Sequence, residues 1–380
     1  MTAGARPRVV LVGGGHAHLE VLRRFALRPH PPVDLTLVSL DRRHLYSGMV
    51  PGYLQGQYEE EEITFELPAL AARAGGRFVH AAVTAVAAVG PGAREIALEG
   101  GSTLPFDLVS FNIGSRTAGD DRPGVREQAA LVKPISRAAD LRRRLLALKA
   151  EGDEPCRAAI VGGGAAGVEI ACAFAAVLDR AGRQRRIALL DSSAQILSEY
   201  SERFRRRALE VLSRKQIEVR TGVRVEDLEP GAVSLKDGAR LPSDVTVWLT
   251  GAAAWPLLQS SGLPVDGRGF LLVDDALRSV ADPRVFGAGD CVTLARHPDT
   301  PKAGVYAVRE APVLWKSLLA ALEGNQPPRY EPQEGFLSLL NTGDGRALLS
   351  YKGLVSHSRW AWRLKDWIDR RFVARYQRLS

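Results

Sequence analysis

A run of small residues, Gly162-Gly163-Gly164-Ala165-Ala166-Gly167, carries the clearest chemistry in the sequence. It has the G-x-G-x-x-G spacing, follows an apolar strand pattern and opens a helical pattern. Motifs of this kind bind a pyrophosphate at the N-terminus of the helix. Asp191 ends the next predicted strand, where a carboxylate binds the ribose 2′-hydroxyl and repels a 2′-phosphate. The sequence therefore predicts a site for NADH rather than NADPH, built from Gly162, Gly164, Gly167 and Asp191. Three nearby arginines keep phosphate recognition open as an alternative: Arg183, Arg185 and Arg186.

A less complete copy of this motif, Gly13-Gly14-Gly15-His16-Ala17-His18, lies near the N-terminus. His18 takes the position of the third glycine, so we expect the helix to pack less closely on the strand. Ser39 takes the acidic position, which leaves Asp41 as the nearest carboxylate for a ribose hydroxyl. A purely structural glycine turn is the alternative. A metal site in His16 and His18 is not predicted, because residues two apart on a helix point in different directions.

The elements around the two motifs repeat. From Gly13 to Gly162 the offset is 149 residues, and in each copy a short β-branched run precedes the glycines and a helical pattern follows, at 19–25 and 168–178. Second strands are predicted at 34–39 and 186–190, which completes a βαβ unit in each half. Alternating runs with glycine and proline turns predict antiparallel insertions at 78–112 and 219–249.

The predicted fold class is α/β, with two Rossmann-like nucleotide-binding domains, β insertions and a small C-terminal region ending in an amphipathic helix. We expect the first domain to comprise 1–133 and 273–325, the second 134–272, and the C-terminal region 326–380. Linkers are predicted at three places: Lys133-Pro134-Ile135, Gly152-Asp153-Glu154-Pro155 and the proline-rich stretch 327–332.

The composition indicates a folded protein without unusual features. Hydrophobic residues make up 46% of the chain and charged residues 25%, as in ordinary globular proteins. No apolar run is long enough to span a bilayer and no secretory signal precedes the first strand, so we expect a cytoplasmic protein. The three cysteines lie far apart, without metal-ligand spacing, and no disulfide framework or metal site is predicted.

The C-terminal segment combines aromatic and basic residues at helical spacing. Apolar residues recur on one predicted face: Trp360, Leu364, Trp367, Ile368, Phe372 and Tyr376. Much of the net charge of +8 comes from the arginines and lysine between them. Such a helix either lies on an anionic membrane surface or packs its aromatic face on the body or on a second subunit. Nucleic-acid binding is not expected, because no recognised motif accompanies these charges.

The segment 284–290, Arg-Val-Phe-Gly-Ala-Gly-Asp, looks like the second FAD motif of flavoproteins with two dinucleotide sites. With it, the whole chain resembles the pyridine nucleotide-disulfide oxidoreductase superfamily, in its type II NADH dehydrogenase-like branch. Within that branch it is most similar to flavoproteins fused to or found alongside selenide water dikinase, through residues 13–18, 46–52, 339–345 and 362–372. The resemblance implies that FAD binds at the first fingerprint and NADH at the second. It assigns FAD to Gly13, Gly15, His16, Ala17, Asp41, Gly289, Asp290 and Ala303.

The resemblance also implies a mechanism, in which hydride passes from nicotinamide C4 to flavin N5. It places the helix that starts after Lys302 and Ala303 against the flavin, where the dipole and the lysine charge would stabilise the reduced form. Glu169 is the candidate catalytic residue near the nicotinamide, although an acidic residue at a helix start is also favoured by the dipole alone. Relatives that use thiols carry a cysteine pair beside the flavin. Here we expect all three cysteines to be packing residues: Cys156, Cys172 and Cys291.

The electron acceptor is the least constrained part of this prediction. By resemblance we expect an FAD-dependent NADH:acceptor oxidoreductase with quinone as acceptor, working at a membrane surface. The alternatives are a soluble flavoreductase associated with selenium metabolism and a flavin-binding redox sensor.

Overall fold

The computed structural model describes residues 6–87, 94–148 and 154–379. Its first sheet has five parallel strands, in the order Val285–Gly287, Leu108–Phe111, Arg8–Val12, Asp34–Ser39 and Arg77–His80. The central strand is β-branched and apolar because helices cover both faces of a parallel sheet. The main helices of this domain are His16–Leu27, Leu67–Arg73 and Gly304–Glu323. We call His16–Leu27 the first fingerprint helix and Gly304–Glu323 the long helix.

The second sheet repeats this arrangement. Its five parallel strands lie in the order Ala129–Leu131, Val245–Trp248, Cys156–Val161, Arg185–Leu190 and Ile217–Arg220. Its helices are Pro123–Gln128, Ala138–Ala147, Ala165–Arg180 and Glu202–Arg214. We call Ala165–Arg180 the second fingerprint helix. The predicted pair of βαβ units is confirmed, and each glycine motif lies between a central strand and its helix.

The β insertions are shorter than predicted. One antiparallel sheet consists of Val83–Ala87, Glu95–Leu98 and Thr103–Pro105, and the other of Val225–Glu229, Ala232–Leu235 and Arg240–Pro242. The outer parts of 78–112 and 219–249 are strands of the two parallel sheets, so the prediction of wholly antiparallel insertions is wrong there. The apolar runs at their ends belong to the domain cores. One of the glycine and proline turns of the first insertion, Gly90-Pro91-Gly92, lies outside the described residues.

Smaller elements connect these units. Three two-stranded pairings join Arg43–Leu45 to Thr64–Glu66, Arg116–Thr117 to Ala252–Ala253, and Leu271–Val273 to Val292–Leu294. Short helices and 3-10 turns occupy Ser47–Met49, Val50–Leu54, Glu61–Ile63, Ile135–Arg137, Pro256–Ser260 and Gly289–Cys291. Residues 133–135, predicted to be a linker, join the strand Ala129–Leu131 to the helix Ala138–Ala147 within the second unit. Of the predicted linker 152–155, the first two residues lie outside the described residues, whereas 327–332 has no helix or strand and lies between the long helix and the C-terminal sheet.

The C-terminal region is a three-stranded antiparallel sheet followed by one helix. Its strands are Ser338–Asn341, Ala347–Tyr351 and Leu354–Ser358, and its helix, which we call the C-terminal helix, is Arg359–Gln377. None of the helices in the described ranges has the length and apolarity needed to cross a bilayer.

The C-terminal helix packs on the body through a face that differs from the predicted aromatic one. Lys365, Asp369 and Tyr376 are buried, whereas Trp360 and Trp367 are 59% and 58% exposed. The prediction of a single aromatic face is therefore wrong. Periodicity could not reveal that a lysine and an aspartate four residues apart would form a buried ion pair.

Candidate active site

The first glycine turn is built around Asn112, which directly follows a strand of the first sheet. Gly13 has φ of +90°, and a Cβ on it would lie 2.5 Å from the Asn112 carbonyl oxygen. A Cβ on Gly15 would overlap the Asn112 Oδ1. That oxygen accepts hydrogen bonds from the N–H groups of Ala17 (2.9 Å) and His18 (3.3 Å). Both glycines are therefore required by the close approach of Asn112, a residue that the sequence analysis did not single out.

The His18 ring makes hydrogen bonds where a glycine would allow direct backbone contact. Its Nδ1 lies 2.6 Å from the Gly13 carbonyl oxygen and its Nε2 lies 2.9 Å from the Ser110 Oγ. A carbonyl only accepts, so Nδ1 carries the proton and Nε2 accepts from the Ser110 hydroxyl. Burial lowers the pKa of His18 to about 4, and the ring is neutral at pH 7. The helix is joined to the strands through the His18 side chain, and the expectation of less close packing there stays a prediction.

The second glycine turn leaves one of its glycines facing open space. Gly162 has φ of +120°, and a Cβ on Gly167 would overlap the Gly162 carbonyl oxygen, so the helix approaches the strand closely there. By contrast, within the described ranges no atom beyond its chain neighbours lies within 4 Å of a Cβ on Gly164. Protein packing therefore does not explain Gly164. The space beside it fits the pyrophosphate that this fingerprint predicts.

Asp191 lies at the edge of the second turn, directly after the strand Arg185–Leu190. Its Oδ2 accepts a hydrogen bond from the Gly163 N–H at 2.5 Å, and its Oδ1 accepts one from the Ser193 N–H at 2.6 Å. A carboxylate has about four acceptor positions, so each oxygen retains capacity for a ribose hydroxyl.

Asp290 is held beside the first glycine turn. Its Oδ2 accepts hydrogen bonds from the Ser115 hydroxyl (3.0 Å) and the Lys133 ammonium (2.8 Å). The Asn112 Nδ2 donates to the Ala288 carbonyl oxygen at 2.6 Å, two residues before Asp290. Through Asn112, the first fingerprint helix and the Asp290 turn form one unit at the carboxyl ends of neighbouring strands.

Glu310 fixes the backbone that leads into Asp290. It lies buried in the long helix, and its Oε2 accepts a hydrogen bond from the Gly289 N–H at 2.5 Å. Gly289 has φ of +75°, and a Cβ on it would lie 2.8 Å from the Asn112 Nδ2. Burial raises the pKa of Glu310 to about 7. No sequence motif points to this contact.

The start of the long helix faces the start of the first fingerprint helix. Ala303 is extended, with φ of −140°, and caps the helix. A Cβ on Gly304 would lie 3.7 Å from the Ser47 Oγ and 3.9 Å from the His16 Cε1. Two helix N-termini thus meet on one side of the first sheet, a favourable place for negative charge.

Lys302 lies just before this helix start, but its ammonium is bound to protein. The Nζ donates to the Val292 carbonyl oxygen and to the Thr293 Oγ1 at 3.0 Å, and it lies 4.4 Å from the centre of the Phe270 ring. Burial lowers the pKa of Lys302. Its charge also lowers the pKa of the nearby Cys291 thiol, although burial outweighs this effect and raises that pKa to about 12.

Glu169 lies on the second fingerprint helix, two residues after Gly167. Its Oε1 accepts a hydrogen bond from the Asn341 N–H at 2.7 Å. Burial raises the pKa of Glu169 to about 7, and the charge of Lys365 opposes this rise. Glu169 and Lys302 were both predicted to be catalytic, but the contacts of the described residues do not bring them together.

Lys365 is a buried cation, which the sequence analysis counted among the basic residues between the aromatic positions of the C-terminal segment. Its Nζ donates to the Gly48 carbonyl oxygen (2.7 Å) and to the Asp369 Oδ2 (2.8 Å). The Tyr46 hydroxyl donates to the Asp369 Oδ1 at 3.2 Å. Burial lowers the pKa of Lys365, but the charges of Asp369 and Glu169 outweigh it, so the pKa is raised. In the sequence, the only signal for this buried cation was the family resemblance of residues 46–52 and 362–372.

His16 and Asp41 are the remaining predicted FAD residues. The His16 ring lies 5.2 Å from the His44 ring and 5.6 Å from the Tyr46 ring, between centres. Burial lowers the pKa of His16 to about 4. Asp41 is half-buried, and its N–H donates to the Ser39 Oγ at 3.4 Å, so the two residues expected near the ribose are neighbours in space.

All three cysteines are buried, and Cys172 and Cys291 are free thiols. Burial raises the pKa of Cys172 to about 12, as it does for Cys291. The Cys291 Sγ lies 3.3 Å from the Ala288 carbonyl oxygen. In the part of the chain that the structure describes, no three His, Cys, Asp or Glu side chains are grouped to hold a metal ion.

Comparison with known proteins gives relatives along nearly the full chain. The demethylphylloquinone reductase of Synechocystis sp. is 28% identical over 92% of this chain and 88% of its own length. A type II NADH:quinone oxidoreductase of Mycobacterium tuberculosis is 25% identical over 94% of this chain and 82% of its own.

Among solved structures, the sulfide:quinone oxidoreductase from Aquifex aeolicus superposes with a TM-score of 0.83. The superposition covers 99% of this chain and 92% of that one, at 17% identity. At that identity the likeness concerns the fold, and it agrees with the predicted α/β class of two Rossmann-like domains.

The family model for pyridine nucleotide-disulphide oxidoreductases matches residues 7–311. This match confirms the predicted superfamily and the predicted enzyme class, an FAD-dependent NAD(P)H oxidoreductase with FAD and a nicotinamide nucleotide as cofactors. The narrower resemblance to flavoproteins of selenide water dikinase stays a prediction. The chain belongs to the pyridine nucleotide-disulphide oxidoreductase family.

Proposed function

We propose that this protein oxidises NADH and passes the electrons through FAD to a quinone. The observation that carries the proposal is the contrast between the two glycine turns. Asn112 joins the first turn to the Asp290 turn, and Gly164 leaves the second turn open to a nucleotide. The acceptor is supported by the names of relatives over nearly the full chain, a demethylphylloquinone reductase and a type II NADH:quinone oxidoreductase.

FAD is proposed to lie along the first fingerprint helix, with Asp290 binding its ribityl hydroxyls. The residues assigned to it are Gly13, Gly15, His16, Ala17, Asp41, Gly289, Asp290 and Ala303. Ser115 and Lys133 both bind Oδ2 of Asp290, so Oδ1 is the oxygen proposed to accept from the ribityl hydroxyls. When bound, FAD supplies the redox chemistry by accepting hydride from nicotinamide C4 at its N5. The two helix N-termini at His16 and Gly304 would stabilise negative charge there.

NADH is proposed to bind the second turn through Gly162, Gly164, Gly167 and Asp191. The pyrophosphate would lie beside Gly164, and the Asp191 carboxylate would bind the ribose and disfavour a 2′-phosphate. Glu169 follows Gly167 by two residues on the same helix, which supports its assignment beside the nicotinamide.

Glu169 is proposed to hold and release a proton during quinone reduction, which consumes two protons for each pair of electrons. A carboxyl group with a pKa of about 7 exchanges protons near neutral pH. Asn341 binds Oε1, so Oε2 is the oxygen proposed to carry the proton. Lys365 would stabilise the carboxylate after the proton leaves. Lys302 would act on the flavin side through its charge near Asp290.

No cysteine takes part in this proposal. Cys172 and Cys291 are buried free thiols, and burial raises their pKa values to about 12, so neither is a thiolate at neutral pH. A thiolate is the reactive form of cysteine. Electrons would therefore pass from the flavin to the acceptor without a protein disulfide.

The exposed side of the C-terminal helix is proposed to rest on a membrane surface, where quinones are dissolved. Trp360 and Trp367 lie one above the other on this side, and the Arg371 guanidinium lies 5.5 Å from the centre of the Trp367 ring. Tyr351 and Leu354, on the neighbouring hairpin, are also exposed. Exposed tryptophans flanked by arginines favour the interface of an anionic bilayer.

The function is tested by anaerobic titration of the FAD-loaded protein with NADH, followed by addition of a short-chain ubiquinone. We expect NADH to bleach the flavin and the quinone to restore it, with a much slower response to NADPH. Glu169→Gln should slow the quinone step at pH 7 by about tenfold or more, in the range of general acid–base effects. Flavin that stays oxidised with excess NADH would rule the proposal out.

The membrane contact is tested by sedimentation with vesicles that contain an anionic phospholipid. We expect the wild type to bind and Trp360→Ala/Trp367→Ala to lose most of that binding. Leu209→Ala is the matched control, because Leu209 is also exposed on a helix but belongs to the second domain. Equal binding of both variants would reject the C-terminal helix as the membrane surface.

A further inference from the structure

The turn from Asn341 to Gly345 joins two strands of the C-terminal sheet and is firmly held. Asn341 and Thr342 are buried. The Thr342 Oγ1 lies 2.6 Å from the Asp344 Oδ1, and the Lys215 ammonium lies 3.6 Å from the Asp344 Oδ2. Residues 339–345 were part of the family resemblance, and the proposed function uses only the Asn341 N–H among them.

Asn341 connects three parts of the molecule. Its backbone N–H donates to the Glu169 Oε1 at 2.7 Å, and its Nδ2 donates to the Gln57 Oε1 at 2.8 Å. Its Oδ1 accepts from the Gly343 N–H at 3.0 Å. The side chain therefore holds the residue in place, and the backbone N–H contacts the carboxylate.

Gly343 lets the turn approach the second fingerprint helix. It has φ of +77°, and a Cβ on it would lie 2.8 Å from the Ala176 Cβ and 2.9 Å from the Cys172 carbonyl oxygen. Gly345 has a similar φ of +70°, but within the described ranges nothing beyond its chain neighbours lies within 4 Å of a Cβ there. An alanine would strain both positions equally, yet only at Gly343 would it push the turn away from the helix.

Other charged and titratable groups also surround Glu169. Lys365 and Asp369 act on it from the C-terminal helix. Tyr200 and Cys172 lie close enough for its charge to raise their pKa values. These groups set the electrostatic environment, whereas the Asn341 N–H donates a hydrogen bond directly to the carboxylate.

We propose that Asn341 is a positioning residue for Glu169. The Asn341 N–H holds Oε1 of the ionised Glu169 carboxylate, so that Oε2 faces the reacting groups. This inference rests on the proposed role of Glu169. An N–H donor stabilises the ionised carboxylate, so losing it should raise the pKa of Glu169. We expect a rise of about one unit, or a tenfold gain in proton affinity.

The test compares Gly343→Ala with Gly345→Ala in the FAD-loaded protein. The pH profile of quinone reduction is measured for each, and Glu169→Gln identifies the ionisation that belongs to Glu169. We expect Gly343→Ala to shift that ionisation upward by about one unit, whereas Gly345→Ala keeps the wild-type profile. Asn341→Ala should shift it in the same direction and keeps the test available if Gly343→Ala does not fold.

A second measurement avoids turnover. Hydrogen–deuterium exchange of a peptide containing Asn341 should speed up in Glu169→Ala, because the amide loses its acceptor. Unchanged exchange would overturn the positioning role alone. The same holds if Glu169→Gln loses the ionisation but Gly343→Ala and Asn341→Ala both keep the wild-type pH profile. A wild-type profile in Glu169→Gln would instead refute the role proposed for Glu169, and this inference with it.

Discussion

The two glycine turns share a backbone but differ in what fills them. In each, the N–H of the first glycine donates to the carbonyl oxygen at the end of the next strand, Val38 or Leu190, at 2.8 Å. In each, the residue after a neighbouring strand lies against that glycine: Asn112 in the first turn and Leu249 in the second. Asn112 binds two N–H groups of the helix start through its side chain, whereas leucine has no polar atom to do so.

The difference bears on what each turn is proposed to bind. In the first turn, Asn112 and His18 use protein hydrogen bonds to fix the fingerprint, as suits a cofactor that stays bound. In the second turn, Gly164 faces open space and Gly167 provides the close packing, as suits a nucleotide that enters and leaves. Two turns that share their first three glycines are therefore proposed to form a permanent and an exchangeable site, and four experiments can challenge this contrast.

The largest effect is expected at Gly167. Gly167→Ala places a Cβ on the Gly162 carbonyl oxygen, and neither backbone can move freely, so we expect a loss of more than about 3 kcal/mol in the free energy of unfolding. Gly164→Ala is the matched control, which should keep the wild-type stability but weaken NADH binding at least tenfold. Chemical denaturation and NADH titration measure the two effects. Equal stability loss in both variants would remove the distinction between a packing glycine and a ligand glycine.

The next effect follows from making the first turn resemble the second. Asn112→Leu leaves the N–H groups of Ala17 and His18 and the Ala288 carbonyl oxygen without their partner, which we expect to cost about 2 to 3 kcal/mol. FAD should dissociate on dilution, as seen by the fluorescence of released flavin. Leu249→Asn, the reciprocal change, should leave FAD bound. Retention of FAD in Asn112→Leu would contradict the proposed importance of the Asn112 bridge.

Lowering the pH should also destabilise the first turn more than the second. The pKa of His18 is about 4 in the folded protein against 6.5 for a free histidine, so its contribution is complete above 6.5 and is lost as pH falls towards 4. From pH 7 to pH 5 this amounts to about 2 kcal/mol. His16 and His44 act in the same direction, and the predicted second domain, 134–272, contains no histidine.

Denaturation at pH 7, 6 and 5 with flavin and tryptophan signals measures this contrast. We expect flavin release to shift with pH before the second domain unfolds. His18→Gln should flatten the dependence, because the substituted side chain does not titrate. Identical slopes for His18→Gln and the wild type would show that His18 does not cause it.

Much of the fold could be predicted because it follows from local sequence patterns. The strand Asp34–Ser39 and both glycine turns follow from β-branched runs, glycine spacing and helical periodicity. The ends of the β insertions were misplaced, because an apolar run at the end of an antiparallel segment does not indicate which sheet it joins. That choice depends on burial against helices distant in sequence.

The contacts at the site were less predictable, for a related reason. Asn112 is a single polar residue after a strand. It joins two parts of the chain only because the first fingerprint helix and the segment at Ala288 both contact its side chain. Lys365 and Asp369 lie on a face that periodicity marks as polar, yet Gly48 and Tyr46, more than 300 residues away, complete their hydrogen bonds. Sequence patterns report which residues face a core, but not which charges find partners inside it.

The smallest expected effect concerns the choice between NADH and NADPH at the second turn. Asp191→Asn keeps the size of the side chain but removes the charge that repels a 2′-phosphate, so the preference for NADH should fall by about tenfold, or about 1.4 kcal/mol. Asp237→Asn, in an exposed turn of the same domain, is the control. The Arg185 guanidinium is already paired with Asp179, at 2.6 and 2.8 Å, so it is not free to bind a phosphate. If Asp191→Asn keeps the wild-type preference for NADH, other residues of the second domain must discriminate against NADPH. The assignment of Asp191 as the ribose-binding carboxylate would then be contradicted.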